Sequence, residues 1–251
     1  QRLFTGELRS FKDNQPVLPK IVERVWNSLW LFLAGTILVW CAAFPLGITT
    51  AIRRNSVLDK VTTVVVFALI SIPGFYLAYL LIIFAVQTFH VDVIGLRTFG
   101  HQGRNLVWSF MDRTWHLVLP SVLGATAGIA ILSRYVRAQM LEVITSDYVR
   151  TARAKGLDED TVLYKHALRN GLLPFVTMLG LIVPGMVGGS VIIETIFAWP
   201  GIGRLGYEAI LSRDYPIVIT LNFIAARLTL VGTLLSDLLY MVVDPRIRLE
   251  G

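Results

Sequence analysis

Cysteine is nearly absent: Cys41 is the only one, and it stands inside an apolar run. A single thiol makes no intrachain disulfide and no cysteine-based metal cluster. Charge is scarce too. Of 251 residues, 16% are charged and 55% are hydrophobic, whereas a soluble domain carries about 25% charge. No G-x-x-x-x-G-K-[ST] run occurs, and Lys155-Gly156 has the order reversed. The chain therefore lacks the loop that cradles nucleotide phosphates in the P-loop manner. Gly201-Ile202-Gly203-Arg204-Leu205-Gly206 does fit G-x-G-x-x-G. No strand precedes it and no βαβ unit surrounds it, so it reads as a flexible turn rather than a dinucleotide site. Histidine is rare. His90, His101 and His116 share one loop, but their spacing fits no helical i, i+4 pair and no dense carboxylate cluster accompanies them, so no metal site is expected. His166 reads as a packing or hydrogen-bonding residue.

What fills the chain instead is long apolar runs. The mean hydropathy is +0.64, which indicates an integral membrane protein. A net charge of +6 and a pI near 9.7 do not indicate nucleic acid, because the bases sit in short segments between apolar runs, as topology-marking charges do. Five spans are predicted, each with the roughly 20 apolar residues a bilayer needs: Ser28 to Ile52, Val61 to Val86 with Pro73-Gly74 inside, His116 to Ser133, Leu172 to Ile196 with Pro184-Gly185 inside, and Pro216 to Val243. Residues 1–27 form a polar external or interfacial segment, with Ile21 to Leu29 as an interfacial helix and Trp26 and Trp30 at headgroup depth. The transmembrane domain covers 28–251. Gly124 with Gly128, and Gly185 with Gly189, are small-xxx-small pairs that permit close helix packing, or chance pairs in a glycine-rich chain.

One polar island interrupts the grease. Ser146 to Pro174 carries Arg150, Arg153, Lys155, Lys165 and Arg169 against Asp147, Asp158, Glu159 and Asp160. Asp147 to Lys155 is helix-compatible, and Gly156 is a natural C-terminal stop. Asp158 caps a second helix from about Glu159 to Asn170. The island is predicted to be two short helices joined by a glycine turn, on the water-facing side of the bilayer.

Arg150-Thr151-Ala152-Arg153-Ala154-Lys155-Gly156, followed by His166-Ala167-Leu168-Arg169-Asn170, resembles the EAA loop of ABC importer permeases, and more narrowly that of the dipeptide, oligopeptide and nickel permease family. The broad motif has Glu-Ala-Ala six residues before the glycine; here Arg150-Thr151-Ala152 stand there, as in the peptide branch. Phe197-Ala198-Trp199-Pro200-Gly201-Ile202-Gly203-Arg204, Arg213-Asp214-Tyr215-Pro216, Asp237-Leu238-Leu239-Tyr240 and Asp244-Pro245-Arg246-Ile247-Arg248 extend the likeness over nearly the whole chain. The resemblance implies an all-α polytopic helical bundle in a bacterial or archaeal inner membrane, with a cytoplasmic coupling loop at about 142–171. It implies a permease for peptides, or for nickel chelates or another small solute, working by alternating access. It implies no catalytic or metal residue in this chain. ATP and Mg would be bound by two partner ATPase subunits. A second homologous permease, an extracytoplasmic binding protein and membrane lipid complete the partners.

By the same resemblance, Asp147, Tyr148, Arg150, Thr151, Ala152, Arg153, Ala154, Lys155 and Gly156 form the contact with the ATPase. Arg150, Arg153 and Lys155 would meet its surface or the lipid headgroups, and Tyr148, Ala152 and Ala154 would offer a small apolar face. The bases are split nearly evenly between the two sides of the membrane, so the resemblance sets the orientation, with the island inside. Parity then puts Gln1 outside, and a further span upstream is expected. Glu194, Trp199, Pro200, Gly201 and Arg204 fall at the outer mouth, with Glu194 read as a gate or, preferably, an interfacial snorkelling residue. Arg227, near the middle of the last span, either lines the translocation path and meets a substrate carboxylate or makes a structural pair with a neighbouring helix or the partner subunit. Asp237 is too far along the helix to be its direct partner. An autonomous secondary transporter would need ion-coupling residues and repeats that are not seen. An intramembrane enzyme would need a nucleophile–base pair, and Ser71, Ser133 and Ser190 lack a convincing histidine partner.

Overall fold

The computed structural model describes residues 8–98, 105–172 and 189–243, with 174, 175, 178, 182 and 185 between the last two stretches. The regular secondary structure of the described residues is helical, apart from one isolated bridge between Arg9 and Pro16. We number the helices α1 (Val17–Ile52), α2 (Val57–Ser71), α3 (Gly74–Phe89), α4 (Leu106–Ile144), α5 (Asp147–Ala154), α6 (Leu168–Gly171), α7 (Val191–Ile196), α8 (Ile202–Leu211) and α9 (Tyr215–Val243). A π-helical turn, Thr161–Ala167, leads into α6.

Among the described residues, α1, α4 and α9 are each long and apolar enough to cross a membrane; α2 and α3 qualify only as a pair bent by 102° at the break, a broken span or a re-entrant loop. The predicted Val61 to Val86 span is therefore corrected. Proline pushes the preceding residue out of the helical region, and Ile72 is extended (φ −82°, ψ 125°). The helix stops there and restarts at Gly74, a full break where a kink was expected. The first and third spans are longer than predicted. α1 is a single helix from Val17, so the supposed interfacial helix is its first turns. α4 extends the predicted His116 to Ser133 segment at both ends. Most of the predicted fourth span, with Pro184, lies outside the described residues, as do His101, Arg246 and Arg248.

The chain divides into two compact units, residues 1–35, 73–124 and 181–235 in one, and residues 36–72, 125–180 and 236–251 in the other. The first unit centres on Val17, Ile21, Leu205, Ala209 and Ile217, with a second cluster of Ala78, Leu123 and Phe197. Asp214, buried, accepts hydrogen bonds from Ser10 Oγ and from the Phe11 N–H (3.1 Å), and so ties residues 8–16 to the α8–α9 corner. His116 is fully buried, its Nδ1 2.9 Å from the Asp112 carbonyl, while His90 ends α3 in the left-handed region and is exposed.

The second unit has one core cluster: Ala43 and Ala51 of α1, Leu132, Val136 and Met140 of α4, Val149 and Ala152 of α5, Val162 and Ala167 of the π-helical turn, and Phe175. Backbones come close here. A Cβ on Gly47 would lie 2.6 Å from the Val136 Cβ, and one on Gly128 would lie 2.6 Å from Val39 Cγ2. Gly128 is thus a packing glycine, in the sense of the small-residue reading. Arg137 makes a two-pronged bond to Asp59, Nε to Oδ1 and Nη2 to Oδ2, both 2.9 Å. This joins α2 to α4 across 78 residues of sequence, and paired forks of this kind are among the stronger charge-assisted bonds.

Candidate functional site

The polar island lies in the second unit. Val143 and Ile144 end α4, and Ser146 Oγ turns back to the Val143 carbonyl (2.6 Å). The chain then starts α5 at Asp147. α5 ends as predicted: Lys155 leaves the helix, and Gly156 has φ +77°, a conformation that costs a residue with a Cβ far more than it costs glycine. Asp158 Oδ2 accepts the Thr161 N–H (2.8 Å), capping the next helix. That helix opens as the π-helical turn Thr161–Ala167, and such wide turns cluster at functional positions.

Arg153 holds the island in shape. Its Nε and Nη2 reach Glu159 Oε2 and Oε1 at 3.1 and 2.7 Å, and Nη1 lies 3.5 Å from the Ile144 carbonyl. Glu159 in turn raises the Arg153 pKa, and the Arg153 guanidinium lowers that of Glu159. Asp158 is lowered by the Thr161 backbone N–H and then by the Thr161 side chain. Because the Glu159 pKa is depressed, this clamp is in place above the ordinary glutamate range. It is lost as pH falls through the lowered value.

One expectation about α5 is corrected. Ala152 does not belong to an outward apolar face: with Val149 it is buried in the core of the second unit. Arg153 is exposed and pairs with Glu159 within the island. Helical periodicity then places Asp147, Arg150, Thr151 and Ala154, at i, i+3, i+4 and i+7, on the face opposite Val149 and Ala152. All four are exposed, as are Tyr148, Lys155 and Gly156. Arg150 has a loose pair with Asp147 (3.7 Å). The helix is thus fixed on its inner side and open on its outer side.

The outer-mouth candidates gather in the first unit around Glu194. Glu194 is fully buried, so it does not snorkel at an interface. Its Oε1 accepts from Ser28 Oγ (2.7 Å) and lies 3.4 Å from the Ser190 N–H; Oε2 accepts the Arg204 N–H (2.9 Å). Ser28 Oγ in turn accepts the Ile202 N–H (2.7 Å). Gly201 stands at the start of α8 without a side-chain cap of its own, and Glu194 and Ser28 serve its unpaired N–H groups instead. Trp199 is buried and donates Nε1–H to the Asn27 carbonyl (3.0 Å), and Asn27 Nδ2 donates to the Pro200 carbonyl (2.9 Å). The Arg204 side chain pairs with Glu208 (2.7 Å). The G-x-G-x-x-G stretch is accounted for here: a Cβ on Gly201 would lie 2.4 Å from Glu194 Cδ and from Ser28 Oγ, and one on Gly203 would lie 3.1 Å from Glu194 Oε2. Gly201→Ala is expected to destabilise by about 3 kcal/mol, the upper end for overpacking a tight site. Thermal unfolding in detergent checks it, and a midpoint equal to wild type would contradict the packing.

Arg227 is exposed on α9, with its guanidinium 4.5 Å from the centre of the Phe223 ring, a cation–π distance. The side chain of Asp237 is outside the described residues. Sequence reasoning missed the Asp59–Arg137 fork and the Glu194 hub, since both depend on partners remote in the chain.

The chain is similar to known proteins over nearly its whole length. The family described as "Binding-protein-dependent transport system inner membrane component" matches residues 43–249. The oligopeptide transport system permease protein AppB of Bacillus subtilis is 43% identical over 237 residues, 94% of this chain and 74% of that protein. The dipeptide transport system permease protein DppB of Alkalihalophilus pseudofirmus is 36% identical over 261 residues, 98% of this chain and 78% of that protein. The glutathione transport system permease protein GsiC of Escherichia coli is 36% identical over 241 residues, 95% and 74% of the two. A solved structure titled as inward-facing conformations of the MetNI methionine ABC transporter superposes with TM-score 0.63, covering 90% of this chain and 98% of the other at 19% identity. That likeness is one of fold.

Proposed function

Since the chain belongs to the family of binding-protein-dependent transport system inner membrane components, we propose that it is the peptide-conducting permease subunit of an ATP-driven ABC importer. It forms half of the path, and a second homologous permease forms the other half. Two ATPase subunits supply the hydrolysis, with ATP and Mg bound on them. A binding protein outside the membrane delivers the substrate. Peptides are the favoured cargo, because AppB and DppB are named for oligopeptide and dipeptide transport. GsiC, named for glutathione, keeps the cargo within small peptide-like solutes.

The observation that carries the mechanism is the two-sided α5. A lever must be fastened to the load and accessible to the motor. Val149 and Ala152 fasten it into the core cluster shared by α1, α4 and the π-helical turn, while Asp147, Arg150, Thr151 and Ala154 face outward. Eight residues of helix make a stiff rod of about 12 Å, and the Arg153–Glu159 clamp holds the following turn to it. Closure of the ATPases would displace the rod, and the packed second unit would move with it. We further assign Arg227, near the middle of the last span, to the translocation path, where nearby water would let a cation be tolerated and where it would meet a substrate carboxylate.

Purification from membranes with its neighbouring subunits tests this reading. The chain alone should hydrolyse no ATP. The assembled particle in vesicles should take up di- or oligopeptide only with ATP and the binding protein present. Uptake by this chain alone, without any ATPase, would replace the reading with a secondary transporter.

A further inference from the structure

The end of α1, the turn after it, the start of α2 and the facing stretch of α4 together carry five cations: Arg53, Arg54, Lys60, Arg134 and Arg137. Asp59 is the one carboxylate among them. It is buried, and its carboxylate accepts from Arg137 and from the Asn55 N–H (2.9 Å), while its own backbone N–H donates to Ser56 Oγ (3.2 Å). Among the described residues, Arg53, Arg54, Lys60 and Arg134 make no ion pair. The contrast with the coupling island is sharp. There five bases meet four acids, and Arg150 and Arg153 have partners.

The apolar surface beside these cations is unusual for a water-facing turn. Val57 is 78% exposed and Val64 68%, and Val61 is exposed as well. On α2, Lys60, Val64 and Phe67 follow one another at i, i+4 and i+7, one stripe of the helix. The Arg134 guanidinium lies 4.5 Å from the centre of the Phe67 ring on that stripe. Positive charge thus stands against an exposed apolar stripe of α2. A protein partner would have to cover both; a phospholipid has both halves in one molecule.

We propose that this elbow is a binding site for an anionic phospholipid of the inner leaflet. Its phosphate sits among Arg53, Arg54 and Lys60, and its acyl chain lies along Val57, Val61 and Val64. Arg137 is not a ligand; its fork on Asp59 holds α2 against α4 and so fixes the elbow. Arg134, held over Phe67, flanks the acyl chain on the same stripe. Polybasic segments near the bilayer attract anionic lipid in this way, and long basic side chains reach headgroup depth from apolar stems. The choice of leaflet rests on the orientation that the importer reading gives the chain; the lipid contact itself does not depend on the coupling role of α5.

The test uses the protein purified from membranes with its accompanying subunits. Native mass spectrometry reads the phospholipid retained after exchange into detergent containing equal phosphatidylglycerol and phosphatidylcholine. Wild type should retain phosphatidylglycerol preferentially. Arg53→Gln, Arg54→Gln and Lys60→Gln combined should lose about fivefold or more of that preference, and raised salt should do the same to wild type. All three positions are exposed, so the variant should fold; its unfolding midpoint is measured alongside. Three results would overturn the proposal: unchanged phosphatidylglycerol preference in the triple variant, equal loss when Lys155→Gln and Lys165→Gln are changed instead, or loss of the ATPase subunits with lipid retention intact, which would make the elbow a protein contact. Because the readout is bound lipid, failure of the importer reading would leave this result unaffected.

Discussion

Glu194→Ala is expected to destabilise the protein by about 3–5 kcal/mol, seen as a large drop in thermal midpoint and in the yield of assembled particle. The side chain is fully buried and accepts from Ser28 Oγ and the Arg204 N–H, with the Ser190 N–H near it. Removing it strands at least two buried donors, and each stranded donor costs about 1–3 kcal/mol. The start of α8 loses its external cap at the same time, since Gly201 supplies none. Glu194→Gln keeps the volume and one acceptor oxygen. Its amide NH2 group cannot accept, so one of the donors is still lost, and about half the effect should remain. If both variants unfold like wild type, the hub is not what holds α8 to α1 and α7.

Val149→Asp is expected to cut peptide uptake tenfold or more while leaving the ATPase subunits bound. Val149 is completely buried in the core cluster that it shares with α1, α4 and the π-helical turn. An unpaired carboxylate there costs several kcal/mol, more than a helix of two turns gains from packing Val149 and Ala152. The cheaper outcome is that α5 leaves its seat. Its outer face remains intact, so docking persists, but displacement is no longer passed to the helices. The signature is the ratio: ATP hydrolysis continues while uptake falls. Val149→Ala removes two methyl groups and should give a milder loss in the same direction, at about 1–2 kcal/mol of packing. Uptake and hydrolysis falling together would point to lost docking and not to lost transmission.

The difference between these sites explains what could be read in the sequence. Gly156 and Asp158 were legible because their roles are local: a left-handed stop and a cap three residues from its donor depend on near neighbours. The family likeness was legible for a similar reason, since Arg150 to Gly156 is a contiguous run. The direction of α5 was not. Tyr148, Val149, Ala152 and Ala154 spread around two turns, and only the fold selects the Val149–Ala152 edge as the buried one. Glu194 was misread as interfacial because a carboxylate at the end of an apolar run has that default, and Ser28, 166 residues away, gave no sign of itself. The Asp59–Arg137 fork was hidden in the same way. Pro73 was seen, but its effect depended on whether neighbours would restore a straight helix, and here Ile72 is extended instead.

The most direct measurement is site-directed cross-linking of the assembled particle through single cysteines on α5, with Cys41 first replaced. Cysteines at Thr151 and Ala154 should join the ATPase subunit, with a yield that changes between nucleotide-free and ATP-bound states. A cysteine at Ala152, on the buried edge, should give none. Adducts from Ala152 but not from Thr151 or Ala154, or none at any of the three in every nucleotide state, would contradict the lever.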